Sequence, residues 1–281
     1  MGHYRIGCAI PGASFMPEGI AETKSDAVAE LLAGAEIVKA AGFDFAESGV
    51  GMIMKLTEDE AKYVADTLCE KYGGRYRIES CNSFIPPQLK IIGGEYGIGS
   101  PLYEYVNGAM TRMRILGADT VVFGSGGARR IPDGMSRESG LLKIAEFLKM
   151  CGELGEKHSV TVAIEPLRAA ECNAVNLLSD GISLAKAASH PRVSYLADAF
   201  HMYHGGEAAD ALTKTDVLPV HIHISEPPDR TYPGSHGGDY LKAFAESLKE
   251  TSYAGRVTVE CGFDDFAAEA PMAYEFTHKY F

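Results

Sequence analysis

Four short apolar segments in the second half of the chain each end in a side chain that can bind a metal ion or move a proton. The segments are rich in Val, Ile and Leu, and the side chains at or near their ends are Glu165, Asp198, His223 and Glu260. Such segments are typical of buried strands whose carboxyl ends open into a site. Carboxylates and an imidazole that converge from several strand ends provide the ligands of a hard divalent cation, and a polyol or sugar could share that cation.

Each of these residues also has an ordinary structural interpretation. A glutamate after a strand is usually a solvated loop residue, but Glu165 and Glu260 follow two equivalent segments, TVAI and RVTV, which favours a shared function. Asp198 could be a helix cap and His201, three residues later, a loop histidine. His221 lies two residues before His223 and must share its strand face, so we interpret it as a packed core histidine or a support for the ligand.

Short strand-like segments alternate with amphipathic helical segments along the whole chain, in eight strand–helix units. This pattern predicts a (β/α)₈ TIM barrel, as one domain over residues 1–281, with an open doubly wound sheet as the alternative. We expect one helix near residues 24–41 and a second that starts at a capping box formed by Thr57 and Glu60. We also expect a long helix over residues 137–158 and a short one around residues 206–212. The glycine-rich stretch at 124–127 lacks the GxxxxGK[ST] pattern and indicates a tight turn. In such a barrel the carboxyl ends of the strands form the active face.

Composition limits the classes of function. The chain has 281 residues, 46% hydrophobic and 23% charged, and a formal net charge of −12, which argues against binding nucleic acid. No apolar run approaches the ~20 residues that span a membrane, and the N-terminus lacks a secretory signal pattern. The six cysteines form no CxxC pair, which indicates reduced thiols. We therefore expect a cytoplasmic protein with a small-molecule ligand and no nucleic-acid or membrane partner.

Four motifs carry a resemblance to a known family. In order along the chain they are AIEPLRAAE, YLADAFHM, HIHISEPPDR and VTVECGF. Together they resemble the xylose isomerase-like TIM barrel superfamily, and within it the D-tagatose 3-epimerase-like members of the sugar phosphate isomerase/epimerase family. The resemblance implies a metal site at Glu165, Asp198, His223 and Glu260, with Glu165 and Glu260 also catalytic. It implies substrate-binding roles for Glu171, His201 and Arg230.

The resemblance also implies a cofactor and a reaction. The cofactor is one divalent cation, for which three oxygen ligands and one imidazole suit Mn²⁺, Mg²⁺ or Co²⁺, with Zn²⁺ as a further candidate. The reaction is epimerisation or aldose–ketose isomerisation of a small ketose or sugar derivative by proton transfer through an enediolate. The alternatives are a lyase of the inosose dehydratase type and a barrel that binds a sugar without turnover. The excess of acidic over basic residues argues against a nuclease that resembles endonuclease IV. Relatives of this kind are often homodimers or homotetramers.

Overall fold

Eight short parallel strands form the centre of the molecule. The computed structural model describes residues 4–16 and 26–281. Each strand pairs with the next in sequence, and the last pairs with the first, so the sheet is a closed barrel. This confirms the predicted (β/α)₈ TIM barrel and excludes the open sheet. The strands are β1 (Arg5–Ala9), β2 (Phe45–Gly49), β3 (Ile78–Asn82), β4 (Thr120–Phe123), β5 (Thr161–Ile164), β6 (Val193–Asp198), β7 (His221–Ile224) and β8 (Arg256–Val259).

Helices follow the strands and cover the outside of the barrel. Two short 3₁₀ turns, Ala13–Phe15 and Ala211–Lys214, accompany them. The α-helices within the described residues are α1 (Ala27–Ala40), α2 (Val50–Ile53), α3 (Glu58–Tyr72), α4 (Pro101–Leu116), α5 (Arg137–His158), α6 (Leu178–Ala188), α7 (Ala199–His204), α8 (Asp239–Lys249) and α9 (Phe266–Tyr280). Among these helices, none is both long and apolar enough to cross a membrane.

The predicted helix boundaries hold where the sequence carries a cap. Thr57 and Glu60 form the expected capping box at the start of α3, with each side chain bonded to the other's backbone N–H. The predicted helix over residues 137–158 is α5, and Ser136 caps its first turn. The first helix begins after its cap, Asp26, and the predicted start near residue 24 lies outside the described residues. Capping therefore fixes these boundaries more closely than the apolar pattern does.

The short helix predicted around residues 206–212 is wrong. The helix in this part of the chain, α7, begins directly after β6, because the Asp198 carboxylate accepts hydrogen bonds from the first backbone N–H groups. Gly205 and Gly206 end it, and Gly206 has φ of +72°, a conformation that favours glycine. Only the 3₁₀ turn Ala211–Lys214 lies near the predicted position. The glycine pair is thus a stop signal, and α7 carries His201 onto the active face.

The barrel interior changes from apolar to polar along its axis. A small interior cluster comprises Val122, Ala163 and Leu196. On β1, Gly7 leaves room for the Phe45 ring, because a Cβ at that position would lie 2.2 Å from the ring. The larger apolar core lies mainly between the sheet and the helices. The polar interior positions occur towards the carboxyl ends of β2 and β7, where the candidate site is found.

Candidate functional site

The structure brings the four predicted metal ligands together at the carboxyl ends of β5 to β8. One donor atom from each of Glu165, Asp198, His223 and Glu260 lies within 4.8 Å of every other. The backbone places them there: Glu165 N–H donates to Phe123 O at 3.1 Å, which continues the ladder between β4 and β5. Glu260 N–H donates in the same way to a β7 carbonyl at 3.0 Å. Four consecutive strands therefore aim one polar group each at a common point.

The donor set has the properties of a cation site. His223 Nδ1 lies 3.4 Å from Glu165 Oε1 and 3.2 Å from Glu260 Oε2. Among residues 4–16 and 26–281, the buried atoms Glu165 Oε1 and His223 Nδ1 find no hydrogen-bond partner. Buried polar groups are normally hydrogen-bonded, so two such atoms that face each other fit a ligand shared between them. Three carboxylates and one imidazole match a hard divalent cation, and the residues present therefore fit the implied cofactor.

Asp198 has a structural and a site-facing oxygen. Its Oδ1 accepts from the backbone N–H groups of Phe200 at 2.7 Å and His201 at 3.2 Å, which caps α7. Its Oδ2 lies 4.0 Å from both His201 Nε2 and Arg230 Nη2. The cap interpretation and the ligand interpretation of this residue are therefore compatible, because each uses a different oxygen.

The electrostatics of the site follow from burial and close charges. Burial opposes a charge on His223, but the carboxylates of Glu47 and Glu260 outweigh it and raise the histidine's pKa well above its usual value. Burial would raise the pKa of Glu260, but His223 and Arg230 outweigh it and lower that pKa to about 2. Burial raises the pKa values of Glu165 and Asp198. The carboxylates of the cluster thus surround one imidazole. Their electrostatic field favours a cation at this point.

The predicted substrate-binding residues surround this cluster. His201 is buried, and burial lowers its pKa, which favours the neutral form of its imidazole. Its Nδ1 accepts from the Arg168 backbone N–H at 3.1 Å, so the proton lies on Nε2, which has no hydrogen-bond partner in the part of the chain that the structure describes. Arg230 Nη2 donates to Glu260 Oε2 at 2.6 Å. Glu171 is half-exposed and bonded to the Arg168 guanidinium at 2.6 Å. His201 and Arg230 lie against the cluster, whereas the Glu171 carboxylate is held beside it by Arg168.

Three polar residues at the site, two of them fully buried, were not assigned roles from the sequence. Glu47 on β2 is fully buried and contacts both histidines of β7. Asn82, at the end of β3, donates to Glu260 Oε1 at 2.9 Å. Arg129 is fully buried and donates to the backbone carbonyl of Glu165 at 2.6 Å. Glu47 and Asn82 end strand-like segments, so their position in the sequence could have placed them at the site. Nothing in the sequence around Arg129 indicates that it is buried.

His221 has the supporting position that the strand period predicted. It faces the barrel interior with His223, and its side chain is fully buried. Its Nε2 lies 2.9 Å from Thr258 Oγ1 and 3.1 Å from Glu47 Oε2. His221 is not one of the four clustered residues, but it contacts the cluster through Glu47 and through the edge-to-face packing of its ring on His223, with ring centroids 5.3 Å apart.

Comparison with protein families gives one match over most of the chain. The sequence model of the family described as xylose isomerase-like TIM barrel matches residues 35–276. A curated relative, a probable ketose 3-epimerase from Synechocystis sp., is 30% identical over 129 residues. That match spans 44% of this chain and 43% of the relative, so it extends over less than half of either protein.

Solved structures share the whole fold. A 3-keto-D-glucoside 4-epimerase from E. coli is 19% identical, with a TM-score of 0.77 and coverage of 98% of this chain and 99% of that one. A D-psicose 3-epimerase with D-tagatose from Clostridium cellulolyticum H10 is 14% identical, with a TM-score of 0.77 and the same coverage. At these identities the likeness establishes the shared fold.

Proposed function

Because the chain belongs to the xylose isomerase-like TIM barrel family, we propose that it is a divalent-cation-dependent isomerase that epimerises or isomerises a small ketose or sugar derivative. The observation that carries the proposal is the convergence of Glu165, Asp198, His223 and Glu260 from four consecutive strands. Similar proteins named as sugar epimerases support the reaction class. The fold alone would not, because barrels of this kind host many activities.

The cofactor in this proposal is one Mn²⁺, Mg²⁺ or Co²⁺ ion, with Zn²⁺ as a further candidate. Glu165, Asp198, His223 and Glu260 would hold it through three oxygens and one nitrogen. When bound, a divalent cation polarises a ketose carbonyl and the neighbouring hydroxyl, which lowers the cost of forming the enediolate. The protein's own contribution is to keep this donor set buried and correctly oriented.

Proton transfer is the proposed role of Glu165 and Glu260. They stand on β5 and β8, so they can approach a sugar from different sides. One carboxylate accepts the proton on the carbon next to the carbonyl, and the C–H electron pair forms the double bond of the enediolate. The other, as the acid, returns a proton to the opposite face of that carbon and inverts its configuration. Return to the neighbouring carbon would instead give aldose–ketose isomerisation.

His201, Arg230 and Glu171 bind the substrate in this account. His201 offers an Nε2–H that has no partner among the described residues, which suits a sugar hydroxyl. Arg230 already holds Glu260 at 2.6 Å and presents the rest of its guanidinium as donors. Glu171 supplies a half-exposed acceptor beside Arg168. Donors and acceptors of this kind fix the orientation of a polyol relative to the two acid–base carboxylates.

We extend the proposal to the protein's partner, its cellular location and its oligomeric state. The formal charge of −12 supports a small sugar as the partner rather than nucleic acid. Residues 1–281 form one domain, which acts without a membrane in the cytoplasm as a homodimer or homotetramer.

Product analysis on a ketose panel tests the proposal. The purified protein, loaded with Mn²⁺, is incubated with D-psicose, D-fructose, D-tagatose, L-ribulose and a 3-keto-glucoside, and products are identified by chromatography. We expect an epimer or isomer from at least one sugar, and its loss in Glu165→Gln and Glu260→Gln. Glu79→Gln, which changes a buried carboxylate paired with Arg256 outside the site, should keep the activity. A product that has lost water would contradict the isomerase and identify a dehydratase.

A further inference from the structure

Glu47 is a buried carboxylate in the barrel interior that the proposed reaction does not use. It lies on β2 with no exposed surface, next to the carboxyl ends of the strands. Its Oε2 accepts from Ser80 Oγ at 2.6 Å and lies 3.1 Å from His221 Nε2. Its Oε1 lies 3.0 Å from His223 Nε2. Donors from β3 and β7 therefore surround the carboxylate, and an isolated buried charge of this kind would otherwise be costly.

The His223 ring lies between Glu47 and the cation ligands. Its Nε2 faces Glu47, whereas its Nδ1 faces Glu165 and Glu260 at 3.4 and 3.2 Å. A neutral imidazole carries a proton on one nitrogen and a lone pair on the other. An ionised carboxylate can only accept, so the nitrogen beside Glu47 must carry the proton. The lone pair is then on Nδ1, where the proposed cation would bind.

We propose that Glu47 is a positioning residue that fixes the orientation and the tautomer of His223 for cation binding. The inference rests on the proposed cation site, in which His223 is a ligand. Carboxylates that hold the second nitrogen of a metal-binding histidine orient the ring and raise its basicity, and losing one typically weakens metal binding about 10–100-fold. Ser80 and His221 in turn hold Glu47 itself, so the carboxylate has one orientation rather than several.

The same residues could instead form a second metal site, since Glu47, His221 and His223 also cluster within 4.8 Å. The neighbouring hydroxyls oppose this. Ser80 Oγ already bonds Glu47 Oε2, and Thr258 Oγ1 lies 2.9 Å from His221 Nε2. Glu47 Oε2 and His221 Nε2 are thus occupied by hydrogen bonds within the protein, and the other carboxylate oxygen, Glu47 Oε1, lies 3.0 Å from His223 Nε2. The positioning role predicts one cation per chain.

Cation titration tests the role without any substrate. Metal-free full-length protein is titrated with Mn²⁺ by calorimetry, and unfolding in EDTA shows that each variant is folded. We expect one Mn²⁺ per chain, about 10–100-fold weaker binding in Glu47→Gln, and a smaller loss in Ser80→Ala. The matched control is Glu79→Gln, which removes another buried carboxylate of the barrel, paired with Arg5 and Arg256, and should bind Mn²⁺ like the unaltered protein. Equal affinity in Glu47→Gln, or two cations per chain, would overturn the inference.

Nitrogen NMR of the Mg²⁺-saturated protein gives a second readout that does not depend on the Glu47 variant folding. We expect the His223 proton on Nε2 in the unaltered protein, and a measurable share of the tautomer with the proton on Nδ1 in Glu47→Gln. A proton on Nδ1 in the unaltered protein would overturn the inference. Asp198→Asn separates the two proposals. If it loses Mn²⁺ while Glu47→Gln does not, only the positioning role fails; if the unaltered protein binds no Mn²⁺, the cation site itself fails.

Discussion

Replacing Arg129 with lysine tests whether a buried guanidinium holds two strand ends together beside the site. Arg129 is fully buried, and its two terminal nitrogens donate to the carbonyls of Phe123 at 2.7 Å and Glu165 at 2.6 Å. Its Nε also contacts Cys172 Sγ at 3.4 Å. The planar fork spans β4 and β5, and a lysine ammonium keeps the charge but not the fork.

The expected cost follows from the carbonyl left without a donor. The Phe123 carbonyl also accepts from the Glu165 N–H. We expect the lysine ammonium, which lacks the spread of the two terminal guanidinium nitrogens, to leave the Glu165 carbonyl without a donor, and one unsatisfied buried carbonyl costs about 1–3 kcal/mol of the free energy of unfolding. At roughly 2–4 °C per kcal/mol for chains of this size, the melting temperature should fall by about 2–12 °C. The assay is urea and thermal unfolding in EDTA, so that cation binding does not contribute.

The neighbouring arginine provides the control. Arg130 is exposed, so Arg130→Lys should leave unfolding unchanged. Equal stability of Arg129→Lys and the unaltered protein would refute the idea that the fork carries this part of the fold. An equal loss in Arg130→Lys would also refute it, because the effect would then belong to the basic doublet and not to the buried bonds.

Three further predictions concern the cation site. Gly124→Ala should weaken Mn²⁺ binding in calorimetry with little change in unfolding, because its Cβ would lie 2.3 Å from Glu165 Oε2; Gly51→Ala, with open space, should change neither. Asp198→Asn should keep the helix cap but bind Mn²⁺ more weakly. Asp198→Ala should lose both the cation affinity and the cap, which costs about 1 kcal/mol of the free energy of unfolding in EDTA. Equal unfolding of the two variants would contradict this. Mn²⁺ affinity should rise with pH, by up to roughly tenfold per unit, until the raised pKa of His223 is passed and then level off, because the protonated imidazole must release a proton to bind; affinity independent of pH below that point would contradict this.

The barrel and the four-residue cluster were predictable because they rest on local patterns. An apolar run followed by a polar residue marks a strand end, and eight such runs that alternate with helices favour a closed parallel sheet over an open one. Glu165 and Glu260 follow equivalent segments, and the strand order then brings them to one face. Their assembly with Asp198 and His223 therefore followed from topology without any knowledge of side-chain contacts.

The remaining features depend on contacts between distant parts of the chain. Glu47 and His221 are 174 residues apart in sequence, and nothing near either residue indicates that they share a hydrogen bond. Arg129 stands in a glycine-rich loop beside an exposed arginine, so its burial could not be inferred from its neighbours. The position of α7 was missed because a helix cap and a site ligand were treated as alternatives for Asp198, whereas the residue caps the helix and also faces the site. Because one residue has both roles, its position in the sequence does not reveal the second role once the first is assigned.

Hydrogen–deuterium exchange from solvent into a ketose tests the central claim most directly. The protein is incubated in D₂O with a panel of ketoses in the presence of Mn²⁺ or of EDTA, beside Glu260→Gln, and the label is located by NMR. The account predicts deuterium on a carbon next to the carbonyl, dependent on the cation and lost in the variant. Absence of label from every ketose, in protein shown by calorimetry to bind Mn²⁺, would contradict it.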